Sequence, residues 1–305
     1  MSNIFLPAPD YSDNYLQTVK CHPFIDSLHE QLMENVRTNK VKLDFLDSSF
    51  TAADVTNEVT SPIFEKFKNT FRQRLEQSKL NSIRGFNKFK RADICLGVAH
   101  YMDTLHATQN VQVLQDEYRY HTLINPKLIP KTIDTLEPRK HLIISVPFAR
   151  IGKVHPQMNE ILNRCLELKI PVHIDGAWIT ACRNIDLDLT HPAIWSFSSS
   201  LSKGYGLAGW NRIGVRWSNV MYEDPITILN DYLQINTMCV AIGNYFLDNV
   251  PADHLWNTHE QHYNKICKDF NLSPTDAIHM ATSGVKNLGL SPLLRYLESN
   301  NAKIS

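Results

Sequence analysis

The sequence lacks several features that would place it in a specialised class of protein. No stretch reaches the roughly 18 uninterrupted apolar residues of a membrane-spanning helix, and the first residues do not join a cationic segment to an apolar one as a secretory signal does. The 31 lysines and arginines are balanced by 31 aspartates and glutamates, so no net charge would attract nucleic acid or an anionic membrane. We therefore expect a cytoplasmic protein that binds neither.

Paired cysteines are also missing. The six cysteines are scattered without a C-x-x-C pair, which argues against a disulfide framework and against a structural zinc site. The pair His259 and His262 has helical spacing but no third ligand beside it, a pattern typical of solvated side chains. We expect no bound metal.

What the sequence does contain is an alternation of short apolar runs with amphipathic segments. The runs at 92–96, 111–114, 141–147, 171–175, 194–198 and 212–217 predict strands, whereas 24–36, 63–80, 100–108, 158–168, 230–247 and 262–270 have helical spacing. Strands that alternate with helices predict an α/β fold with a mostly parallel central sheet covered by helices on both faces.

The pattern of apolar and polar residues changes along the chain and suggests three parts within its 305 residues. Residues 1–75 are interpreted as an N-terminal arm and leading subdomain, 76–221 as a large domain, and 222–305 as a smaller C-terminal helical or α+β domain. Ligands of parallel sheets bind at the carboxyl ends of the strands, so the residues that follow each apolar run are the first candidates for a site.

One lysine stands in an unusual setting. Lys203 follows a serine-rich run and precedes a glycine-rich turn, and Asp175 ends a buried strand upstream of it. An amine that attacks a carbonyl must be partly neutral, and burial or a neighbouring cation such as Arg212 lowers its pKa. A carboxylate at the position of Asp175 can hold a pyridine nitrogen protonated, and the small Ala177 leaves room for a flat ring.

Phosphate ligands are found in the same region. Ser200, Ser202 and Arg212 can hold a phosphate group, and the turn after the strand at 92–96 places the backbone amides of Val98 and Ala99 at a helix N-terminus, where anions bind.

These motifs resemble those of the fold-type-I pyridoxal-phosphate enzymes, nearest to class I and II aminotransferases. The resemblance rests on S-L-S-K at 200–203, G-L-A-G-W-N-R-I-G at 206–214 and D-G-A-W at 175–178. It implies that Lys203 carries pyridoxal 5'-phosphate as a Schiff base and that Asp175 binds the pyridine nitrogen. It further implies that Ser200 and Arg212 bind the phosphate, that Tyr118 stacks on the ring, and that the protein is a homodimer with active sites near the interface.

The sequence departs from the family pattern in the region of the ring oxygen and of the substrate. Trp178 stands where a tyrosine is common, and Ala149 stands where an asparagine is usual. The substrate carboxylate is assigned to Arg295 or Arg150, with the alternative that the substrate has no α-carboxylate.

The predicted function is a pyridoxal-phosphate-dependent aminotransferase that acts on an amino acid or a related small amine, with a keto acceptor. A decarboxylase, lyase or cyclase on the same cofactor remains open, as does a binding or regulatory protein that keeps the fold. A nicotinamide-dependent dehydrogenase is a remote alternative, because G-Y-G-L-A-G at 204–209 satisfies G-x-G-x-x-G but precedes a strand-like segment instead of a helix.

Overall fold

The computed structural model describes residues 10–18, 20–43, 62–219 and 223–301, and these contain eleven strands and ten α-helices. The strands are β1 (Ser82–Arg84), β2 (Arg91–Cys95), β3 (Val111–Val113), β4 (His141–Ser145), β5 (Val172–Gly176), β6 (Asp186–Asp188), β7 (Ile194–Ser200), β8 (Gly214–Ser218), β9 (Ser273–Pro274), β10 (Met280–Ser283) and β11 (Lys286–Gly289). The helices are α1 (Asp13–Thr18), α2 (Ser27–Arg37), α3 (Pro62–Glu76), α4 (Gly97–Thr108), α5 (Tyr120–Ile124), α6 (Met158–Glu167), α7 (Pro225–Asp231), α8 (Thr237–Asn249), α9 (His254–Asp269) and α10 (Ser291–Asn301).

The central element is a six-stranded sheet in the order β2-β8-β7-β5-β4-β3. Strands β3, β4, β5 and β7 are parallel to one another, and β8 runs antiparallel to both of its neighbours. The middle strands are buried along almost their whole length because both faces are covered, and Ile143, Ile144 and Ile174 are fully buried. The prediction of a mostly parallel α/β sheet is confirmed.

The register of the sheet brings the polar strand ends together. Ser145 at the end of β4 lies opposite Asp175 in β5, and Asp175 lies opposite Ser198 in β7. Because parallel strands end at the same edge, the loops after β3, β4, β5 and β7 all leave the sheet on one side. This edge carries the candidate site.

A buried ion pair fixes β2, β8 and α7 relative to one another. Arg216 of β8 has no exposed surface, and it donates to Asp93 of β2 at 2.7 Å and to Asp224, the N-cap of α7, at 2.5 Å. A buried guanidinium requires such partners, because an unpaired charge in the interior is very costly.

The C-terminal part of the described chain combines helices α9 and α10 with an antiparallel sheet in the order β11-β10-β9. Its core includes Trp256, Tyr263 and Leu293, and it also takes in Leu16 and Phe24 from the N-terminal segment. The three-part division at 75 and 221 stays a prediction.

Two helix predictions were longer than the helices found. The segment predicted at 63–80 ends at Glu76 in α3, and 230–247 is divided between α7 and α8. Among the described residues, no helix is both long enough and apolar enough to cross a membrane.

Candidate active site

Lys203 lies in the turn between β7 and β8, at the edge of the sheet that carries the candidate site. Its Nζ is 4.7 Å from the centre of the Trp178 ring. Burial lowers the pKa of the Lys203 amine, Asp175 and Cys21 oppose that shift, and Arg212 adds to it. The amine is therefore closer to neutrality than a surface lysine, as nucleophilic attack on a carbonyl requires.

The turn that carries Lys203 is fixed by its neighbours. Gly204 N donates to Thr180 Oγ1 at 3.1 Å, and Ser202 N donates to the buried Ser200 Oγ at 3.4 Å. A Cβ at position 204 would collide with the Thr180 backbone carbonyl. Only glycine fits there, so the backbone beside Lys203 has little freedom to shift.

Asp175 is buried near the end of β5. Its Oδ1 accepts a hydrogen bond from Ala177 N at 2.8 Å. Burial raises the pKa of the Asp175 carboxyl to about 6, while the Ala177 amide and Lys203 oppose the increase. A cationic ring nitrogen placed against this carboxylate would supply the partner charge that favours its ionised form.

A candidate anion site lies at the start of α4. Gly97 has a φ of +75°, and a Cβ placed on it would lie 3.6 Å from Arg212 Nη2 and 3.7 Å from Ser202 Oγ. The first amides of α4, including those of Val98 and Ala99, have no partner within the helix. No described carboxylate pairs with Arg212, which leaves its guanidinium free to bind an anion. The guanidinium, the hydroxyl and the amides are donors of the kind that bind a phosphate group.

Tyr118 follows β3 and is 54% exposed. Its ring stacks on Tyr120 with centroids 5.7 Å apart. Burial and Asp175 raise the pKa of the Tyr118 hydroxyl, whereas Arg212 lowers it. The side chain thus lies within electrostatic reach of both Asp175 and Arg212, the position that a stacking residue would need.

Glu117 is a site residue that the sequence analysis missed. Ser145 N donates to its Oε2 at 2.8 Å, Tyr118 N donates to its Oε1 at 2.7 Å, and the Ser145 hydroxyl also binds it. Burial raises the pKa of the Glu117 carboxyl to about 7, the Ser145 and Tyr118 donors oppose this, and Asp175 reinforces it. The only signal in the sequence was an acidic residue directly before Tyr118.

The loop after β4 shows how the chain is built where the usual asparagine is absent. Ala149 N donates to Ser145 Oγ at 3.1 Å, and the Ala149 carbonyl accepts from Asn287 Nδ2 at 2.9 Å. Backbone hydrogen bonds therefore hold this loop in place, and the alanine side chain offers no donor to a ring oxygen.

The rings of Trp178 and His279 form a wall on one side of the candidate site, and this wall was not predicted from the sequence. The His279 ring contacts Trp178 edge-on at 4.9 Å, and its Nδ1 accepts from Phe24 N at 3.3 Å. Burial holds the pKa of His279 well below its ordinary value, and the charge of Lys203 adds to this. The wall is therefore neutral at physiological pH.

The two arginines predicted to bind substrate are each paired with a carboxylate. Arg150 donates to Asp116 at 2.6 Å, and Arg295 donates to Glu30 at 2.9 Å. Each would have to exchange this partner to bind a substrate carboxylate. Their assignment stays a prediction.

The glycines at 204–209 do not form a dinucleotide-binding turn. They lie in the turn after β7, and the next regular element is β8 instead of a helix. A dinucleotide fingerprint must open a helix so that its N-terminus can bind the pyrophosphate.

No protein-family model and no curated protein sequence matches this chain. Solved structures do. A C-S lyase from Staphylococcus hominis aligns with a TM-score of 0.60 at 9% identity, covering 95% of this chain and 89% of that one. A tyrosine aminotransferase from Leishmania infantum aligns with a TM-score of 0.58 at 12% identity, covering 96% and 94%. A putative aminotransferase from Clostridium difficile 630, bound to pyridoxal phosphate, aligns with a TM-score of 0.57 at 10% identity, covering 89% of this chain and 78% of that one. The chain thus has the fold of the fold-type-I pyridoxal-phosphate enzymes, as predicted.

Proposed function

We propose that this protein is a pyridoxal-phosphate-dependent enzyme that transfers an amino group from an amino acid or a related small amine to a keto acceptor. The observation that carries the proposal is the convergence of Lys203, Asp175 and the anion site at Gly97 on one edge of the sheet. The structural likeness to aminotransferases supports it.

The site residues divide into a phosphate end and a ring end. Arg212, Ser202 and the amides of Val98 and Ala99 would bind the phosphate of pyridoxal 5'-phosphate. Asp175 would bind the ring nitrogen, and Tyr118 and Ala177 would hold the two faces of the ring. Bound in this way, the cofactor would supply an electron sink for the bond that breaks next to the substrate nitrogen.

Lys203 would perform the proton transfers. Its partly neutral amine would hold the cofactor and, when released from it, would be free to act as a base. It would move a proton to and from the substrate carbon that bears nitrogen. Asp175 would keep the ring nitrogen protonated throughout, and the Trp178–His279 wall would shield this side of the site from water.

A lyase, decarboxylase or cyclase is the second candidate. It is favoured by the C-S lyase neighbour. The cofactor determines the electron sink, while the residues around the substrate determine which bond breaks. Incubation with amino acids distinguishes the two classes of enzyme. An aminotransferase converts an added keto acid into an amino acid. A lyase or decarboxylase releases a fragment of the substrate and needs no keto acid.

We also propose a cytoplasmic homodimer. Leu123, Ile124 and Ile129 are 62%, 37% and 72% exposed and lie in the segment that follows Tyr118. Exposed apolar side chains grouped beside a site are typical of a subunit interface. Replacement of Leu123 and Ile129 by aspartate should give a monomer in sedimentation velocity, whereas Val285→Asp, at a comparably exposed position, should not.

The test of the cofactor is spectroscopic. The protein purified with pyridoxal phosphate should absorb visible light, and borohydride reduction followed by peptide mapping should locate the label on Lys203. Lys203→Ala should lose both the visible band and all turnover, whereas the exposed Lys127→Ala should keep them. A colourless protein that pyridoxal phosphate cannot reconstitute would overturn the proposal.

A further inference from the structure

A cluster of histidines and carboxylates lies outside the active site, where the N-terminal segment meets α9 and α10. Asp26, the N-cap of α2, is 1% exposed, and its carboxylate is within hydrogen-bond distance of three imidazoles. His254 Nε2 lies 2.6 Å and His259 Nε2 3.0 Å from Asp26 Oδ2, and His29 Nδ1 lies 3.1 Å from Oδ1.

A second carboxylate belongs to this cluster. Ligand atoms of Asp26, His259 and Glu298 all lie within 4.8 Å of one another. No lysine or arginine in the described part of the chain pairs with Asp26 or Glu298. Two carboxylates this close repel each other, a cation between them would remove that repulsion, and the imidazole beside them provides a nitrogen donor.

We propose that Asp26, His259 and Glu298 bind a divalent transition metal ion, with zinc as the leading candidate. The ion would join three elements distant in sequence, namely the start of α2, α9 and α10. One imidazole with two carboxylates is a donor set that zinc accepts, and water would complete the tetrahedron. This site does not depend on the proposed enzymatic function.

Each proposed ligand is held by a further partner, as ligands in metal sites usually are. His29 and His254 hold the Asp26 carboxylate. Ser27 N and Ser27 Oγ donate to Glu298 Oε1 at 3.0 and 2.8 Å. His262 Nδ1 lies 3.5 Å from His259 Nδ1, which leaves His259 Nε2 directed at Asp26.

The structure also explains why the sequence alone argued against a metal here. His259 and His262 had no third ligand near them in the chain. Asp26 is 233 positions from His259, and Ser27, which orients Glu298, is 271 positions from it. Only the folded chain brings these donors together.

The experiment uses the full chain as purified, stripped of metal with a chelator and then dialysed against zinc chloride. We expect one zinc per chain, measured by mass spectrometry of the metal, and a melting temperature that rises with zinc concentration. Glu298→Gln, at a partly exposed position, and His259→Asn should weaken zinc binding by at least about 10-fold. His191→Asn, on a distant loop, is the matched control and should bind as the parent does.

Two results would overturn the proposal. A parent protein that takes up no stoichiometric zinc and does not gain stability from it would show that the cluster is a hydrogen-bonded network only. Zinc that binds Glu298→Gln and His259→Asn as tightly as the parent would place the ion elsewhere, for example at the candidate active site. Because Glu298→Gln removes only one charge at the surface of the cluster, the test remains valid if His259→Asn folds poorly.

Discussion

Glu117 accepts a hydrogen bond from the backbone amide of Ser145, the residue that lies opposite Asp175 across β4 and β5. A buried carboxyl group and a partly buried one thus flank one strand end, and desolvation raises the pKa of both, to about 7 for Glu117 and about 6 for Asp175. The inner end of the candidate site is therefore sensitive to pH.

The Glu117 carboxyl should make the cofactor-free protein less stable at alkaline pH. Its pKa in the fold is raised above the ordinary 4.5, so its contribution is fully present below pH 4.5 and is lost as the pH rises through about 7. Urea unfolding at pH 5 and pH 8 should show a smaller loss of stability for Glu117→Gln than for the parent. The exposed Glu160→Gln should behave as the parent, and an equal loss in all three proteins would argue against buried ionisation at Glu117.

Arg212 should contribute to cofactor affinity and little to stability. Its guanidinium is exposed, faces Gly97 and has no described carboxylate partner. A charged hydrogen bond to phosphate contributes about 1.5–3 kcal/mol, so Arg212→Gln should weaken pyridoxal-phosphate binding by roughly 10-fold or more. Fluorescence titration measures this, with Arg164→Gln on α6 as the surface control. Unchanged affinity in Arg212→Gln would remove Arg212 from the phosphate site.

Asp175→Ala should give a coloured but slow enzyme. Lys203 and the phosphate site remain, so the cofactor still binds, but the ring nitrogen loses its charged partner. We expect kcat to fall by roughly 10²–10³, the usual effect of removing one electrostatic contact from an active site. The exposed Asp188→Ala is the control, and a wild-type rate in Asp175→Ala would exclude the assigned role.

Arg216→Ala should be among the most destabilising single substitutions at a charged residue. It leaves Asp93 and Asp224 buried without their cation, at a cost of about 3–5 kcal/mol. The surface pair of Arg164 with Glu167 provides the comparison, since Arg164→Ala should cost less than about 1 kcal/mol. Equal losses in chemical denaturation would mean that the Arg216 network adds no more than a surface pair.

The strands of the central sheet were predictable because strands covered on both faces are rich in apolar residues such as Ile143, Ile144 and Ile174. The same reasoning did not find β9 or α5, which are two and five residues long and show no clear periodicity. Local patterns identify long buried elements, whereas short exposed ones depend on contacts that the sequence does not display.

The candidate site was predictable where its residues stand in short motifs, as Lys203 and Asp175 do. Glu117 was missed because its partner Ser145 is 28 positions away. His279 was missed for a similar reason: it meets Phe24 across 255 positions and Trp178 across the fold. A single sequence does not reveal pairings of this range.

The packing of Phe24 among α9, α10 and the β9–β11 sheet has a consequence for synthesis of the chain. Phe24 leaves the ribosome long before its core partners Trp256, Tyr263 and Leu293 do. Closing a loop this long carries an entropic cost that local contacts avoid, and domains generally fold from the N-terminus as they emerge. The central sheet can therefore form before the segment around Phe24 docks, because that segment docks only after α9 and α10 have been made.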